Sequence, residues 1–232
     1  MITGKCGLPV ILLCGGKGER LRPLTTQIPK PLIPIKGHPI IWYIIEHIKK
    51  YSLKKLIVAT GYKSEKIREY FLCNHTDMES IIIDSGNVDI IKRILDSNKH
   101  IPSDFLVFYG DTLSDINIEG LIEFHNSRKE KATITVWPMR SQFGLVDIDT
   151  EGKVLTFDEK PALNKWINIG YFYFEHKAIS MMKGFDRFED FLQFLAVEGE
   201  LNAYKHNGIH ITVNTMKELE EAEDNISKIF QG

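Results

Sequence analysis

Short apolar runs alternate with amphipathic stretches along the first half of this chain, and that rhythm limits the fold more than any other feature. LPVILLC from Leu8, LKKLIVAT from Leu53, SIIIDS from Ser80 and FLVFYGD from Phe105 are each about the length of one strand. Between them, IIWYIIEHIKKY, SEKIREYFL and IIKRILDS carry apolar residues at helical spacing. Strands linked in this way predict a parallel sheet with helices on both faces. After Asp111 the pattern changes. A helix near IEGLIEFHNSRK leads to the closely spaced strand candidates ATITVWPM, GLVDID, KVLTFDEK and WINIGYFYFE, with TEGK as a hairpin turn. A helical RFEDFLQFLAVE, a strand pair LNAYKHNG and IHITVNT, and an amphipathic helix from Met216 follow. In open α/β sheets ligands sit beyond the carboxyl ends of the strands. That rule places the segment after LPVILLC, Asp111 and Asn214 on one rim.

The segment after the first strand is LLCGGKGERLRPLTTQIPKPL, Leu12 to Leu32. Gly15, Gly16 and Gly18 permit backbone conformations that aim successive N–H groups at an anion. Arg20 follows closely, and its planar fork suits a polyphosphate. Lys30 stands between Pro29 and Pro31, so its stem starts from a stiffened backbone. A glycine turn alone is commonly only a tight turn, and neither GxGxxG nor GxxxxGK[ST] is matched. The combination with a rigidly held ammonium points to phosphoryl chemistry.

Composition narrows the partners. Lys and Arg number 29 against 31 Asp and Glu, a net charge of −2, so an anion site must be local and a nucleic-acid surface is not expected. No apolar run approaches the ~18 residues of a membrane span. The start, MITGKCGLPVILLC, has a short apolar stretch without a small-residue cleavage site, so a signal peptide is not expected. The cysteines Cys6, Cys14 and Cys73 form no CxxC pair, which fits a reducing cytoplasm. His206 and His210 are four apart in a strand-like context interrupted by Gly208, a poor metal pair.

LCGGKGERLRPLT followed by PKPL resembles the signature of the sugar-1-phosphate nucleotidyltransferases. The resemblance continues at FYGD, FGLVDID, FDEKP, INIGYF and VNTMKELEEAE. Within that family GYKSEKIREYF, IIDSGN, IKRI, EFHNSRKEKATITV and EGELNAYKHNG look most like the glucose-1-phosphate cytidylyltransferase branch. The resemblance implies a three-layer α/β/α Rossmann-like fold of the glycosyltransferase-A type. Its central sheet would be mixed and mainly parallel, with a small antiparallel acceptor-binding subregion. Residues 1–232 would form a single domain, with 1–115 as the nucleotide-binding half and 116–232 as the acceptor-binding half.

The implied reaction joins a nucleoside triphosphate, CTP by branch, to a sugar 1-phosphate such as glucose 1-phosphate, and releases pyrophosphate. By motif match, Leu13, Cys14, Gly15, Gly16, Lys17 and Gly18 would cradle the nucleotide, with Glu19, Asp84 and Gly110 beside them. Arg20 would hold the departing phosphates, and Lys30 would bridge the α-phosphate and the incoming phosphate. Asp111 and Asn214 would ligate Mg²⁺, and Arg20, Lys30 and Asp111 would form the catalytic set. Gly144, Glu159, Lys160, Asn168 and Gly170 would shape the acceptor pocket. Taken singly, Asp111 could be a helix-cap aspartate and Lys160 a solvated strand-end lysine. A homo-oligomer is compatible with the family.

The chain departs from the branch in three places. Asn214 stands where the branch has a second carboxylate. Val88, Asp89 and Ile90 replace a Gly-Gly-Arg ahead of Lys92 and Arg93. IHIT replaces a tryptophan-bearing segment before VNT. The base could therefore be that of UTP, dTTP or GTP, and the acceptor a phosphorylated non-sugar. Asn214 also leaves open a non-catalytic nucleotide-sensing subunit.

Overall fold

The computed structural model describes residues 7–74 and 76–230. Cys6 and the first residues of the apolar N-terminal segment lie outside the described residues. β1 (Val10–Cys14) leads through a short α1 (Leu24–Gln27) and a small ladder of β2 (Pro34–Ile35) and β3 (His38–Pro39) into α2 (Ile40–Lys49). β4 (Lys55–Thr60), α3 (Ser64–Cys73), β5 (Glu79–Asp84), α4 (Ile90–Asp96) and β6 (Phe105–Tyr109) complete the alternating half. Then come β7 (Thr112–Ser114), α5 (Ile118–Asn126), β8 (Ala132–Arg140), a hairpin of β9 (Leu145–Ile148) and β10 (Val154–Asp158), and β11 (Ala162–Phe174). α6 (Ala178–Met182), α7 (Phe188–Val197), β12 (Leu201–Lys205), β13 (His210–Thr212) and α8 (Met216–Phe230) follow.

Seven strands form the central sheet in the order β12-β8-β11-β6-β1-β4-β5. β11 runs against both its neighbours, and the remaining neighbours pair in parallel. Side chains alternate across the sheet, so each strand feeds two cores. Val10, Leu12, Leu56, Val58, Leu106, Phe108, Tyr171 and Tyr173 face α2, α5 and α8. Ile11, Ile57, Ala59, Phe105, Val107, Phe172 and Phe174 face α4, α6 and α7. This is the three-layer arrangement, and burial on both sides explains why the strands read as unbroken apolar runs. In α2, Ile40, Ile41, Ile44, Ile45 and Ile48 are at most 3% exposed. Each such side chain withdrawn from water stabilises the fold by roughly 1.5–3 kcal/mol.

The expected pairing of LNAYKHNG with IHITVNT does not occur. β12 follows α7 as a crossover and adds in parallel to the outer edge of β8. β13 pairs antiparallel with β7 instead. The physical reason is a capture by Asp115. Its carboxylate accepts the Ile209 N–H at 2.6 Å, and its own N–H donates to the Ile209 carbonyl at 3.3 Å. Trp137 Nε1 holds the Gly208 carbonyl at 3.0 Å, so the chain is turned away before a hairpin can close. TEGK does form a hairpin turn. The Asp149 carboxylate accepts from the N–H groups of Glu151 and Lys153 at 2.9 Å each, and Gly152 has φ +87°. β11 begins four residues earlier than WINIGYFYFE and has register shifts at 162/166 and 168/172.

The β7–β13 ladder ties a histidine cluster to the functional rim. Ser114 pairs in register with His210, and Ser114 Oγ and Asp115 Oδ1 both lie 3.0 Å from His206 Nε2. Both partners meet the same ring nitrogen, so this is no catalytic relay, which needs one partner on each nitrogen. Burial pushes the His210 imidazole down to about 4, with His206 adding to the effect, and burial also lowers His47. The Nδ1 atoms of His47 and His210 are buried without a partner. Below the ordinary imidazole value near 6.5 the unfolded chain takes up protons that the folded chain resists. This part of the stability is complete above that value and is lost as pH falls toward 4. The melting temperature is therefore expected to fall steadily between pH 6.5 and pH 4. A His210→Phe variant, scanned over the same range, should show a shallower fall, and an unchanged slope would remove His210 from the account.

Candidate active site

The site grows from the end of β1. Gly18 adopts φ +61° and ψ +37°, a left-handed conformation that costs a residue with a Cβ about 1–2 kcal/mol. Its carbonyl is fixed by Thr25 Oγ1 at 2.9 Å and by the Leu21 N–H at 3.0 Å. The loop then tightens into a 3-10 turn at Glu19–Leu21. Lys30 opens a second such turn, Lys30–Leu32, entered from Pro29 at φ −67°. The stem of Lys30 is buried, so its ammonium can emerge in one direction only.

That ammonium meets two oxygens. Lys30 Nζ lies 2.5 Å from Asp111 Oδ2 and donates to Asn214 Oδ1 at 2.9 Å. Arg20 Nη2 donates to the same Asn214 oxygen at 3.2 Å. Asp111 sits where β6 passes into β7, and Asn214 stands two residues beyond the end of β13. Asn214 is held from behind by the start of α8. Glu218 Oε2 accepts the Asn214 N–H at 2.5 Å, and Thr215 Oγ1 accepts the Glu218 N–H at 3.2 Å, a variant of the capping box.

The cluster borders a cavity of about 660 Å³. Leu13, Cys14, Gly15, Gly16, Lys17, Gly18, Glu19, Arg20, Lys30, Asp111 and Asn214 all line it. Two others of the nucleotide set stand behind the wall. Gly110 packs against Cys14 and Leu13, and Asp84 caps the loop after β5 by accepting the Gly86 N–H at 2.9 Å. Burial pushes the Cys14 thiol far up, which makes it a packing group and no nucleophile.

The residues assigned to the acceptor lie elsewhere. Gly144, Glu159 and Lys160 flank the β9–β10 hairpin, where the side chains of Glu159 and Lys160 are each 64% exposed. Asn168 and Gly170 back onto Tyr109, whose ring forms part of the cavity wall. Burial pushes the Tyr109 hydroxyl up to about 12, although a hydrogen bond with Asn168 works the other way. Tyr109 therefore stays protonated at neutral pH. None of these five acceptor residues lines the cavity itself.

The far wall showed in the sequence only through Val88–Ile90, whose departure from the branch pattern bore on the choice of base. It is built from Asn87, Val88 and Asp89 of the β5–α4 connection, Ile90 and Arg93 of α4, and Glu189 of α7. Asp89 joins its two helices: its carboxylate accepts the N–H groups of Ile91 at 3.1 Å and Phe188 at 3.0 Å. Arg93 gave no signal of its own, since α4 also carries Lys92 and Asp96 and only its burial, at 4% exposure, sets Arg93 apart.

The family profile described as "Nucleotidyl transferase" matches residues 9–208. The chain belongs to the nucleotidyl transferase family. A protein named "Probable glucose-1-phosphate cytidylyltransferase" from Bacillus subtilis is 35% identical over 92% of this chain and 94% of its own. A glucose-1-phosphate cytidylyltransferase from Salmonella typhi is 29% identical over 91% and 93%. The crystal structure of HddC from Yersinia pseudotuberculosis superposes with a TM-score of 0.75, covering 94% of this chain and 99% of that one at 23% identity, a likeness of fold. This nucleotidyltransferase thus has the architecture that its signature motif implied, and it is an enzyme by family. Among the described residues no helix is long and apolar enough to cross a membrane.

Proposed function

We propose that this nucleotidyltransferase is a cytidylyltransferase that joins CTP to a hexose 1-phosphate such as glucose 1-phosphate. An oxygen of the acceptor phosphate attacks the α-phosphorus in line, the bond to the β-phosphate breaks, and pyrophosphate leaves. The observation that carries the reading is the meeting of Lys30, Asp111, Asn214 and Arg20 beside the glycine loop. Such a reaction asks little covalent work of a protein. It asks that two polyanions be held together and that the charge developing between them be spread.

Each residue has a part in this. Free N–H groups of the glycine loop receive the nucleotide. Arg20, already drawn to the Asn214 oxygen, is placed to fork onto the departing phosphates. Lys30 brings a point charge on a fixed stem to the α-phosphate and the acceptor phosphate. The oxygens of Asp111 and Asn214 converge on one cation, the Lys30 ammonium, so the same pair suits a small hard cation. A single carboxylate with an amide oxygen fits Mg²⁺, which takes few protein ligands and fills its shell with water and substrate phosphate. When bound, that ion would neutralise phosphate charge. Among the described residues no cluster of three or more His, Cys, Asp or Glu could form an all-protein cage.

Cytosine is supported by the similarity to the Bacillus and Salmonella proteins. A second base remains an alternative because Val88–Ile90, which line the cavity, depart from the branch pattern. A UTP–glucose-1-phosphate uridylyltransferase from Synechocystis is also 30% identical over 74% of this chain and 50% of its own.

Pyrophosphate release from five nucleoside triphosphates against several sugar 1-phosphates and phosphorylated non-sugars tests the reading. CTP with a hexose 1-phosphate is expected to lead, and CTP ranking no better than UTP or dTTP would discard the cytidylyl assignment. Lys30→Ala should lower turnover by about 10²–10³ while the protein stays folded by circular dichroism. Nucleotide binding without turnover in the wild type would favour the sensing subunit instead. Asn214→Asp adds a carboxylate to the pair. It should lower the Mg²⁺ concentration needed for half-maximal turnover, and an unaltered requirement would remove Asn214 from the ligand set.

A further inference from the structure

Arg93 is buried, at 4% exposure, yet among the described residues it forms no ion pair. Its guanidinium donates only to backbone carbonyls. Nη1 donates to Thr60, and Nη2 reaches Gly15 at 3.2 Å, Gly86 at 2.8 Å and Val88 at 3.1 Å. Thr60 ends β4, and the other carbonyls belong to the connections after β1 and β5, the strands on either side of it at the same end of the sheet. Burial pulls the guanidinium down from its ordinary value, while Asp84 and Asp89 nearby favour its charge. Gly15 is shaped to this contact, since a Cβ there would lie 2.1 Å from Arg93 Cζ.

The peptide geometry gives this clamp a consequence for the cavity. In a planar trans peptide the C=O and the following N–H point in opposite directions. The peptides after Gly15, Gly86 and Val88 are trans. Each carbonyl drawn onto Arg93 therefore turns the N–H of Gly16, Asn87 or Asp89 to the other side. All three of those residues line the cavity, and none of their N–H groups has an acceptor among the described residues.

We infer that Arg93 is a positioning residue for the nucleotide: by holding three carbonyls it presents the N–H groups of Gly16, Asn87 and Asp89 to acceptor atoms of the bound nucleoside triphosphate. The inference rests on the nucleotide site proposed above and extends it to the opposite wall. A backbone donor fixed in this way meets its acceptor without reorganising, which is the benefit of preorganisation. Lysine cannot replace the fork, because one ammonium on a flexible stem cannot hold carbonyls from the ends of three strands at once.

The test uses the full-length protein and two variants. Arg93→Lys keeps the charge and loses the fork. Gly15→Ala pushes the guanidinium aside from the loop side, and it carries the test if Arg93→Lys does not fold. The KM for CTP and for glucose 1-phosphate, kcat, calorimetric binding of CTP and the melting temperature are measured for each. The expected result is a rise of about tenfold or more in the KM for CTP, with the acceptor KM unchanged within about twofold. A lower melting temperature with an unchanged CTP KM would make Arg93 a stabilising brace only and overturn the inference, leaving the proposed function intact. A wild type that turns over no substrate pair but binds CTP more tightly than Arg93→Lys does would support the clamp and refute the function. A wild type with neither turnover nor nucleotide binding would overturn both.

Discussion

The molecule turns on one buried ammonium. Lys30 lies 81 residues from Asp111 and 184 from Asn214, yet one atom of its side chain touches both. They meet because the loop after β1, the end of β6 and the end of β13 all arrive at one rim. Stability does not require such a meeting. A buried cation loses hydration, and an apolar side chain of similar volume often serves a fold as well or better. The pair is half-wet: the Lys30 side chain is 9% exposed and that of Asp111 36%. Lys30 thus has a counter-charge to rest on and an open side from which a phosphate can approach. The histidine cluster stands at the far end of the β7–β13 ladder from Asp111 and Asn214.

The cavity is polarised. Cations outnumber carboxylates on the wall that grows from β1, where Lys17, Arg20 and Lys30 stand with Glu19 and Asp111, while Asp89 and Glu189 outnumber the buried Arg93 on the wall opposite. In the proposed function, that excess would favour the triphosphate toward the first wall. The second wall still offers donors, because Arg93 absorbs its carbonyls. A carboxylate-bearing surface can then hydrogen-bond an uncharged part of a ligand without attracting a phosphate.

Much of this was legible in the sequence, for physical reasons. Strands buried on both faces read as unbroken apolar runs, and the glycine loop and proline-flanked Lys30 announce their geometry through residues with few conformations. The strand pair was misread because LNAYKHNG and IHITVNT have the local spacing of a hairpin, while the group that separates them, Asp115, acts across 94 residues. Short ladders such as β2–β3 and β7–β13 leave too few residues for a period to show. Of the far wall, Val88–Ile90 showed as a departure from the branch pattern, but the part played by Arg93 was hidden for a similar reason. Arg93 acquires its role only when the ends of three strands are brought around it, and an arginine in a helix is ordinarily a solvated one.

Asn214 changes the balance of the rim. Arg20 and Lys30 bring two positive charges to a cluster in which Asp111 supplies the single negative one. An aspartate at position 214 would cancel the surplus and tie both cations more strongly to the protein. The amide oxygen still accepts from both, at 3.2 and 2.9 Å, but as a neutral acceptor it holds each less firmly. Both cations therefore remain ready to exchange a weak partner for a charged phosphate oxygen. The same neutrality weakens any divalent ion's grip on the protein alone. Such an ion would gain most of its ligands from the phosphates it accompanies, so metal and nucleotide would be bound as one unit rather than in sequence.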